Sequence, residues 1–263
     1  MTPFGYECRP LGDSGLVIQL GTSIEVSLLK QIRQLAVYLE KNRFEGFIEL
    51  ITAYTTITIF YDSMLVYSYN LAQNARGKAR RNGITNSLLP YDIVLQHIET
   101  LMAQYVQQEN ESQMSELGNI VDIPVCYGGC YGPDLPDVAA YHQVSPEEIV
   151  RLHTSSVYPV YMIGFAPGFP YLGGLSERLA TPRKSEPRTK IPAGSVGIGG
   201  AQTGIYPLET PGGWNLIGCT PLALFRPDAH PPSLLEAGDR VRFVSIPSEQ
   251  FEQLRERKQD DGL

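Results

Sequence analysis

Two parts of the sequence hold the side chains best suited to chemistry. The first is TPRKSEPRTKIPAG, residues 181–194, where Arg183, Lys184, Arg188 and Lys190 stand among prolines. Proline fixes its own φ and restricts its neighbours, so these cations are offered from a stiff loop. A guanidinium fork can grip a carboxylate or phosphate through two parallel hydrogen bonds; a solvated basic loop is the competing reading. The second part is a pair of aromatic loops. MIGFAPGFPYLGGL (162–175) packs four Gly, two Pro, two Phe and a Tyr into fourteen uncharged residues. YPLETPGGW (206–214) holds Tyr206 and the single Trp, Trp214. Such loops line ligand sites or anchor corners of a fold. Phe165, Phe169 and Tyr171 are expected to wall a pocket or an intermolecular contact and to supply no reacting atom.

His153 ends the segment SPEEIVRLHT, whose Ser145, Pro146 and Glu148 form a cap, an N1 proline and a capping-box acid. The helix dipole alone favours a histidine in that last turn; the functional reading is a general acid/base. Other motifs fall short. No G-x-x-x-x-G-K-[ST] phosphate loop is present. Ala193 replaces the first glycine that a nucleophile elbow around Ser195 would need. GSVGIGGAQTG is followed by no helical pattern, so it reads as a barrel strand where backbones pass closely or as a pocket lining. Cys126 and Cys130 lack a second short-spaced ligand pair, so no metal site is expected and the four Cys read as reduced thiols.

The elements that must position these groups follow from pattern. In the first part, Gly15–Leu20, Phe47–Ala53 and Thr56–Tyr61 read as strands. Leu28, Leu29, Ile32, Leu35, Ala36 and Leu39 make one amphipathic helix, with Thr22 or Ser23 as its cap. Val94, Ile98, Leu101, Met102 and Tyr105 make another, giving a small antiparallel sheet with two helices on one face. Val66–Pro90 holds Arg76, Lys78, Arg80 and Arg81 and no acid, and reads as a basic loop insertion. Gln107–Asn119 is polar and reads as a linker. Beyond it, helices at 137–142 and 146–153 precede short β-prone runs broken by Gly and Pro, the texture of a β-barrel or sandwich. The expected division is 1–118 and 119–263.

With 43% hydrophobic and 19% charged residues, the chain of 263 is globular. A net charge of −7 argues against nucleic acid and anionic membrane as partners. No signal-peptide pattern and no run of about 18 apolar residues is found, so a cytoplasmic protein is expected.

GFAPGFPYLGGL, then ATPRKSEPRTKIPAGSVGIGGAQTGIYPLETPGGWNLIGCTPLALF, then LLEAGDRVRF closely resemble the B-subunit family of the prokaryotic 5-oxoprolinase. That family is also labelled allophanate hydrolase subunit 1 and includes a sporulation-kinase inhibitor. RPLGDSGLVIQLG, IPVCYGGCYGPDLPDVA and SPEEIVRLHTSSVYPVYMIGF fit the same pattern. The resemblance implies an α+β protein: a small N-terminal α/β sandwich and a C-terminal cyclophilin-like β-barrel. It implies a non-autonomous component that works with the C and A subunits of 5-oxoprolinase. The assembly opens 5-oxo-L-proline to L-glutamate with ATP, and magnesium serves as the nucleotide's counter-ion. The alternative function is an inhibitor of a sporulation histidine kinase.

Set against that reaction, His153 and Arg183 are the expected catalytic residues. Phe165, Phe169, Tyr171, Arg188, Gln202, Thr203, Tyr206 and Trp214 are the expected substrate-binding residues. The sequence departs from the family where Cys130 stands in YGGCYGPD, usually Glu, and where Cys219 stands in IGCTP, usually Arg. If the two positions face each other, a Cys130–Cys219 contact or a disulfide is expected.

Overall fold

The computed structural model describes residues 5–77, 88–109 and 118–260. The chain divides into two compact units, Met1–Glu116 and Leu117–Leu263. Among the described residues no helix is long and apolar enough to cross a membrane.

The first unit runs β1 (Glu7–Leu11), β2 (Gly15–Gln19), α1 (Val26–Lys41), β3 (Phe47–Thr52), β4 (Thr56–Tyr61), α2 (Ser63–Gly77) and α3 (Pro90–Glu109). Its strands form an antiparallel sheet in the order β1-β2-β4-β3. Register follows from alternation. Leu16 lies opposite Ile59 and Ile18 opposite Ile57, so one face of the sheet is apolar. The 3.6-residue periodicity of α1 and α3 covers that face: Leu28, Ile32, Leu35, Leu39, Ile98 and Met102 join the strand residues in one core.

Several expectations change here. The α1 N-cap is Glu25, not Thr22 or Ser23; Ser23 instead donates from its hydroxyl to the Glu25 carboxylate at 2.8 Å. β1 is not legible in the sequence, because an edge strand exposes most of its residues and lacks alternation. The supposed basic loop begins as helix. α2 continues to Gly77, anchored among its described residues by the buried Val66, while Met64 and Leu65 stay exposed. A single apolar anchor in a helix that size leaves little period to detect. Arg76 belongs to α2; Lys78, Arg80 and Arg81 lie outside the described residues. The linker expected from Gln107 also begins as helix, since α3 runs to Glu109, and 110–117 lie outside the described residues.

The second unit runs β5 (Ile120–Tyr127), α4 (Leu135–His142), α5 (Pro146–Thr154), β6 (Val157–Ile163), β7 (Pro170–Leu172), β8 (Arg188–Ile191), β9 (Ser195–Gly199), β10 (Gln202–Ile205), β11 (Thr210–Gly212), β12 (Asn215–Cys219), β13 (Arg240–Ser245) and α6 (Ser248–Asp260). The order β10-β7-β6-β13-β5-β12-β9 closes on itself as a barrel, with β13 parallel to β5. β8 and β11 form a separate two-stranded ribbon. The α+β architecture with a C-terminal barrel is therefore as expected, and GSVGIGG is the barrel strand β9. Alternate residues such as Val125, Val160, Ile198, Ile217 and Phe243 fill the interior together with Ile149 and Leu152 of α5. The α5 cap forms in part: Ser145 Oγ accepts from the Glu148 amide at 3.2 Å with Pro146 at the first turn, but the Glu148 carboxylate accepts from Arg151 instead of closing a capping box.

The glycines of this unit mark close approaches. A Cβ on Gly199 would stand 2.4 Å from Trp214 Cδ1, and one on Gly132 would stand 2.0 Å from the Ile217 carbonyl oxygen. The second contact is with backbone, which cannot swing aside. Gly132→Ala is therefore expected to lower stability by about 2 kcal/mol or more, the scale of an overpacked core. Thermal melts of the two proteins check this; an unchanged melting temperature would mean that the 127–135 turn relaxes freely.

Candidate functional site

A buried carboxylate organises one side of the barrel. Asp134 follows the Gly132-Pro133 turn at the entrance to α4 and is 3% exposed. Its Oδ1 accepts from Lys184 Nζ at 2.9 Å and from Arg188 Nη2 at 2.7 Å, and its Oδ2 accepts from the Leu216 amide at 2.7 Å. The Asp134 amide in turn donates to the Leu216 carbonyl. Burial works to raise its pKa, but hydrogen bonds from Arg188, Lys184 and Leu216 outweigh burial and hold it below the ordinary carboxylate range. The carboxylate stays charged and pins the 183–190 loop to α4 and β12.

Beside this clamp lies a cleft of about 540 Å³, a size ordinary for small-molecule sites. Arg188, Lys190 and Arg255 bring cations to it, and no Asp or Glu among the described residues lines it. Pro133, Pro192, Pro207 and Pro221 give it stiff walls. Ser195, which is buried, and Gly194 complete one side. Gly194 has φ +85° and its amide donates to the Tyr206 carbonyl, a conformation that favours glycine there.

The two departures from the family pattern, Cys130 and Cys219, line this same cleft. No disulfide joins them; all four cysteines are free thiols. Cys219 instead lies directly across the β12–β5 ladder from the buried Cys126. Burial pushes the Cys219 thiol up to about 11, so it adds no negative charge to the cleft at neutral pH.

His153 lies elsewhere. It is fully buried within the barrel, its ring 4.4 Å from that of Phe243. Its Nδ1 bonds to the Tyr127 hydroxyl at 2.8 Å and its Nε2 to Thr203 Oγ1 at 2.9 Å. Thr203 donates onward to the Gly197 carbonyl, so it accepts from Nε2–H, and Nδ1 accepts from Tyr127. Burial lowers the pKa of His153 to about 3. A sealed, neutral imidazole with both nitrogens engaged cannot exchange a proton with a ligand in the cleft. The expected acid/base role of His153 and substrate contact of Thr203 thus become internal hydrogen bonding. Sequence pattern does not separate the two because a capped helix ends at His153 in either case.

The aromatic loops also turn inward. Phe169, Tyr206 and Trp214 are buried with Ile191 and Leu216 in one small core, with Tyr171 packed against it. Phe169 stands 5.8 Å from Tyr206 and 6.0 Å from Trp214, edge to face. The pocket wall expected of Phe169 is instead core packing. Phe165 alone of this set projects outward, 68% exposed at φ +68°. Gln202 is half-buried on β10. Arg183 lines a separate shallow groove with Asp137, Thr181 and Glu186, so of the two expected arginines the structure brings Arg188 alone to the cleft. Sequence reasoning misses Asp134 and Arg255 as site residues and has Lys190 only as a member of the basic cluster. Asp134 is visible as an acid before an α-helix, but Arg255 reaches the cleft from the far C-terminal helix α6 with no local signal.

Residues 6–235 match the family described as carboxyltransferase domain, subdomain C and D. The 5-oxoprolinase B subunit of Bacillus subtilis (strain 168) is 48% identical over 251 residues, 95% of this chain and 97% of that one. The chain belongs to the 5-oxoprolinase B-subunit family. The solved structure of TTHA0988 is 32% identical with a TM-score of 0.66, over 89% of this chain and 40% of its own. The urea amidolyase of K. lactis, 18% identical, shares the fold at a TM-score of 0.67, over 97% of this chain and 16% of its own. The unit found here as one chain thus spans less than half the length of each of those two larger polypeptides. In this member of the B-subunit family, the cationic cleft at the barrel's side, and not the barrel interior, is the candidate site.

His153 makes a testable demand on stability. Its folded pKa lies below the ordinary 6.5, so unfolding takes up a proton between those values. Its contribution is complete above about pH 6.5 and is lost as pH falls toward 3, at up to about 1.4 kcal/mol per pH unit. Urea unfolding from pH 7 to 4.5 is expected to show this slope, and His153→Gln to flatten it. Equal slopes in the two proteins would mean that His153 is not held neutral.

Proposed function

We propose that the chain is the B subunit of an ATP-dependent 5-oxoprolinase, opening the lactam of 5-oxo-L-proline to L-glutamate together with its A and C subunits. The observation that carries this reading is the 48% identity to a 5-oxoprolinase B subunit across nearly the full length of both chains. The geometry supports it. The reactant is a small anion, and the cleft combines stiff apolar walls with Arg188, Lys190 and Arg255.

Opening the ring breaks the amide C–N bond, with water supplying a hydroxyl to the carbonyl carbon and a proton to the nitrogen. The amide is resonance-stabilised, and ATP, when bound, would supply a phosphoryl group to its oxygen; that oxygen then leaves as phosphate, and a second water supplies the oxygen that replaces it in the carboxylate. The part of this chain is to hold charge and limit water. Arg188 stays fixed by Asp134 while it faces the cleft, so little reorganisation is needed when an anion arrives. On this reading ATP and its magnesium counter-ion are shared with the partner subunits. That this chain aligns with only 40% of the longer TTHA0988 polypeptide supports a division of labour with neighbouring subunits.

The chain alone is expected to release no glutamate from 5-oxo-L-proline and ATP. Co-expressed with its A and C subunits, it should yield glutamate with matched phosphate release. A stable three-component complex that releases phosphate but no glutamate from this substrate would overturn the assignment.

A further inference from the structure

We infer that the cleft beside Asp134 is an oxyanion site centred on Arg188, which takes the carboxylate or phosphoryl oxygens of a reactant. This rests on the proposed function for the identity of the reactant, but not for the chemistry of the site.

Three observations meet there. First, the lining is one-sided: Arg188, Lys190 and Arg255 line the cleft and, among the described residues, no carboxylate does, the acid partner of each cation standing outside the lining. The groove that holds Arg183 differs, since Asp137 and Glu186 line it too. Second, Arg188 is half used. Its Nη2 is bound to Asp134 at 2.7 Å, while its Nη1 is buried with no hydrogen-bond partner. A guanidinium is always charged and carries five donors, and a donor left unmatched in the protein interior is costly. An anion in the cleft supplies the missing acceptor. Nη1 is itself buried, so contact requires a torsion of a side chain that is 28% exposed. Third, the other two cations are held in pairs at exposed positions, against which a bound anion competes. Lys190 meets Glu209 at 3.3 Å and Arg255 meets Glu252 at 2.5 Å, but both pairs are largely exposed, and such pairs contribute little.

The walls favour a compact ligand. Four prolines with Leu216, Leu222 and Phe251 make much of the wall apolar, and Tyr131, Ser195 and Thr220 add hydroxyls. The ligand is therefore recognised at its charged end, with its body against apolar surface. Two sources carry such an end: the carboxylate of a lactam acid and the phosphates of a nucleotide.

Calorimetric titration of the full chain separates them. The probes are 5-oxo-L-proline, ATP and inorganic phosphate, with 2-pyrrolidinone as the same lactam without its carboxylate. At least one anion is expected to bind, and 2-pyrrolidinone is not. Binding of 5-oxo-L-proline assigns the site to the carboxylate; binding of ATP or phosphate assigns it to phosphoryl oxygens. Arg188→Lys keeps a cation for Asp134 and removes the second fork nitrogen. It should weaken the bound anion about tenfold or more, the scale of a lost charge-assisted hydrogen bond. Arg255→Ala, on an exposed helix face, should weaken it a few-fold, with weaker dependence on salt. Binding of none of the three anions, or binding that Arg188→Lys leaves unchanged while circular dichroism shows a native fold, overturns the oxyanion site. The activity of the three-component complex is read separately: a complex inactive on 5-oxo-L-proline removes the proposed function and leaves the anion titration standing.

Discussion

One buried negative charge governs how the second unit is arranged. Asp134 is taken out of water at the start of α4, and an isolated carboxylate there would be untenable. It is tolerated because Lys184, Arg188 and the Leu216 amide all donate to it. These donors come from the proline-set loop, β8 and β12, so one charge ties a helix start, a loop with its ribbon strand and a barrel strand together. Removing one partner of a buried pair typically costs several kcal/mol, because the other is left uncompensated. The clamp therefore fixes the geometry of Arg188 more strictly than a surface ion pair could.

That fixity separates two kinds of polar group in this unit. Within the barrel, Tyr127, His153, Thr203 and the Gly197 carbonyl form a closed hydrogen-bond chain in which every ring nitrogen and hydroxyl is matched. Such a chain specifies the packing and leaves nothing over for a ligand. At the cleft, by contrast, Arg188 remains partly unmatched and Lys190 and Arg255 are paired at exposed positions. A site shows itself here through what is unfinished. The aromatic loops fall on the finished side: Phe169, Tyr206 and Trp214 stack edge to face, with Trp214 against glycines of β9 and β10, forming a rigid backing. The outward exception, Phe165, sits in the loop that this backing stiffens.

Much of the fold was legible because it depends on local period. The apolar residues chosen for α1 and α3 are the ones buried, and the strands of the first unit's centre begin and end within a residue or two of their expected bounds. The Ser145 cap formed because its chemistry is contained in four consecutive residues. Elements with weak period were lost: the edge strand β1, and α2 with its buried Val66. Of the expected site residues, Arg188 reached the cleft, whereas His153, Thr203, Phe169, Tyr206 and Trp214 went into cores. A residue type well suited to binding is equally well suited to packing, and nothing local tells the two apart.

By itself, then, the sequence determined the family, the two-part organisation expected of it, the barrel texture and the stiff basic loop, since these rest on motifs and spacings within short windows. Tertiary structure alone decided which charged groups share a space. Cys130, Arg188, Cys219 and Arg255 lie far apart along the chain and line one cleft, while Arg183, close to Arg188 in sequence, faces another. The reason is physical: burial and electrostatic neighbourhood depend on how distant segments close around one another, and in a barrel that closure is set by strand pairing far from each residue in sequence.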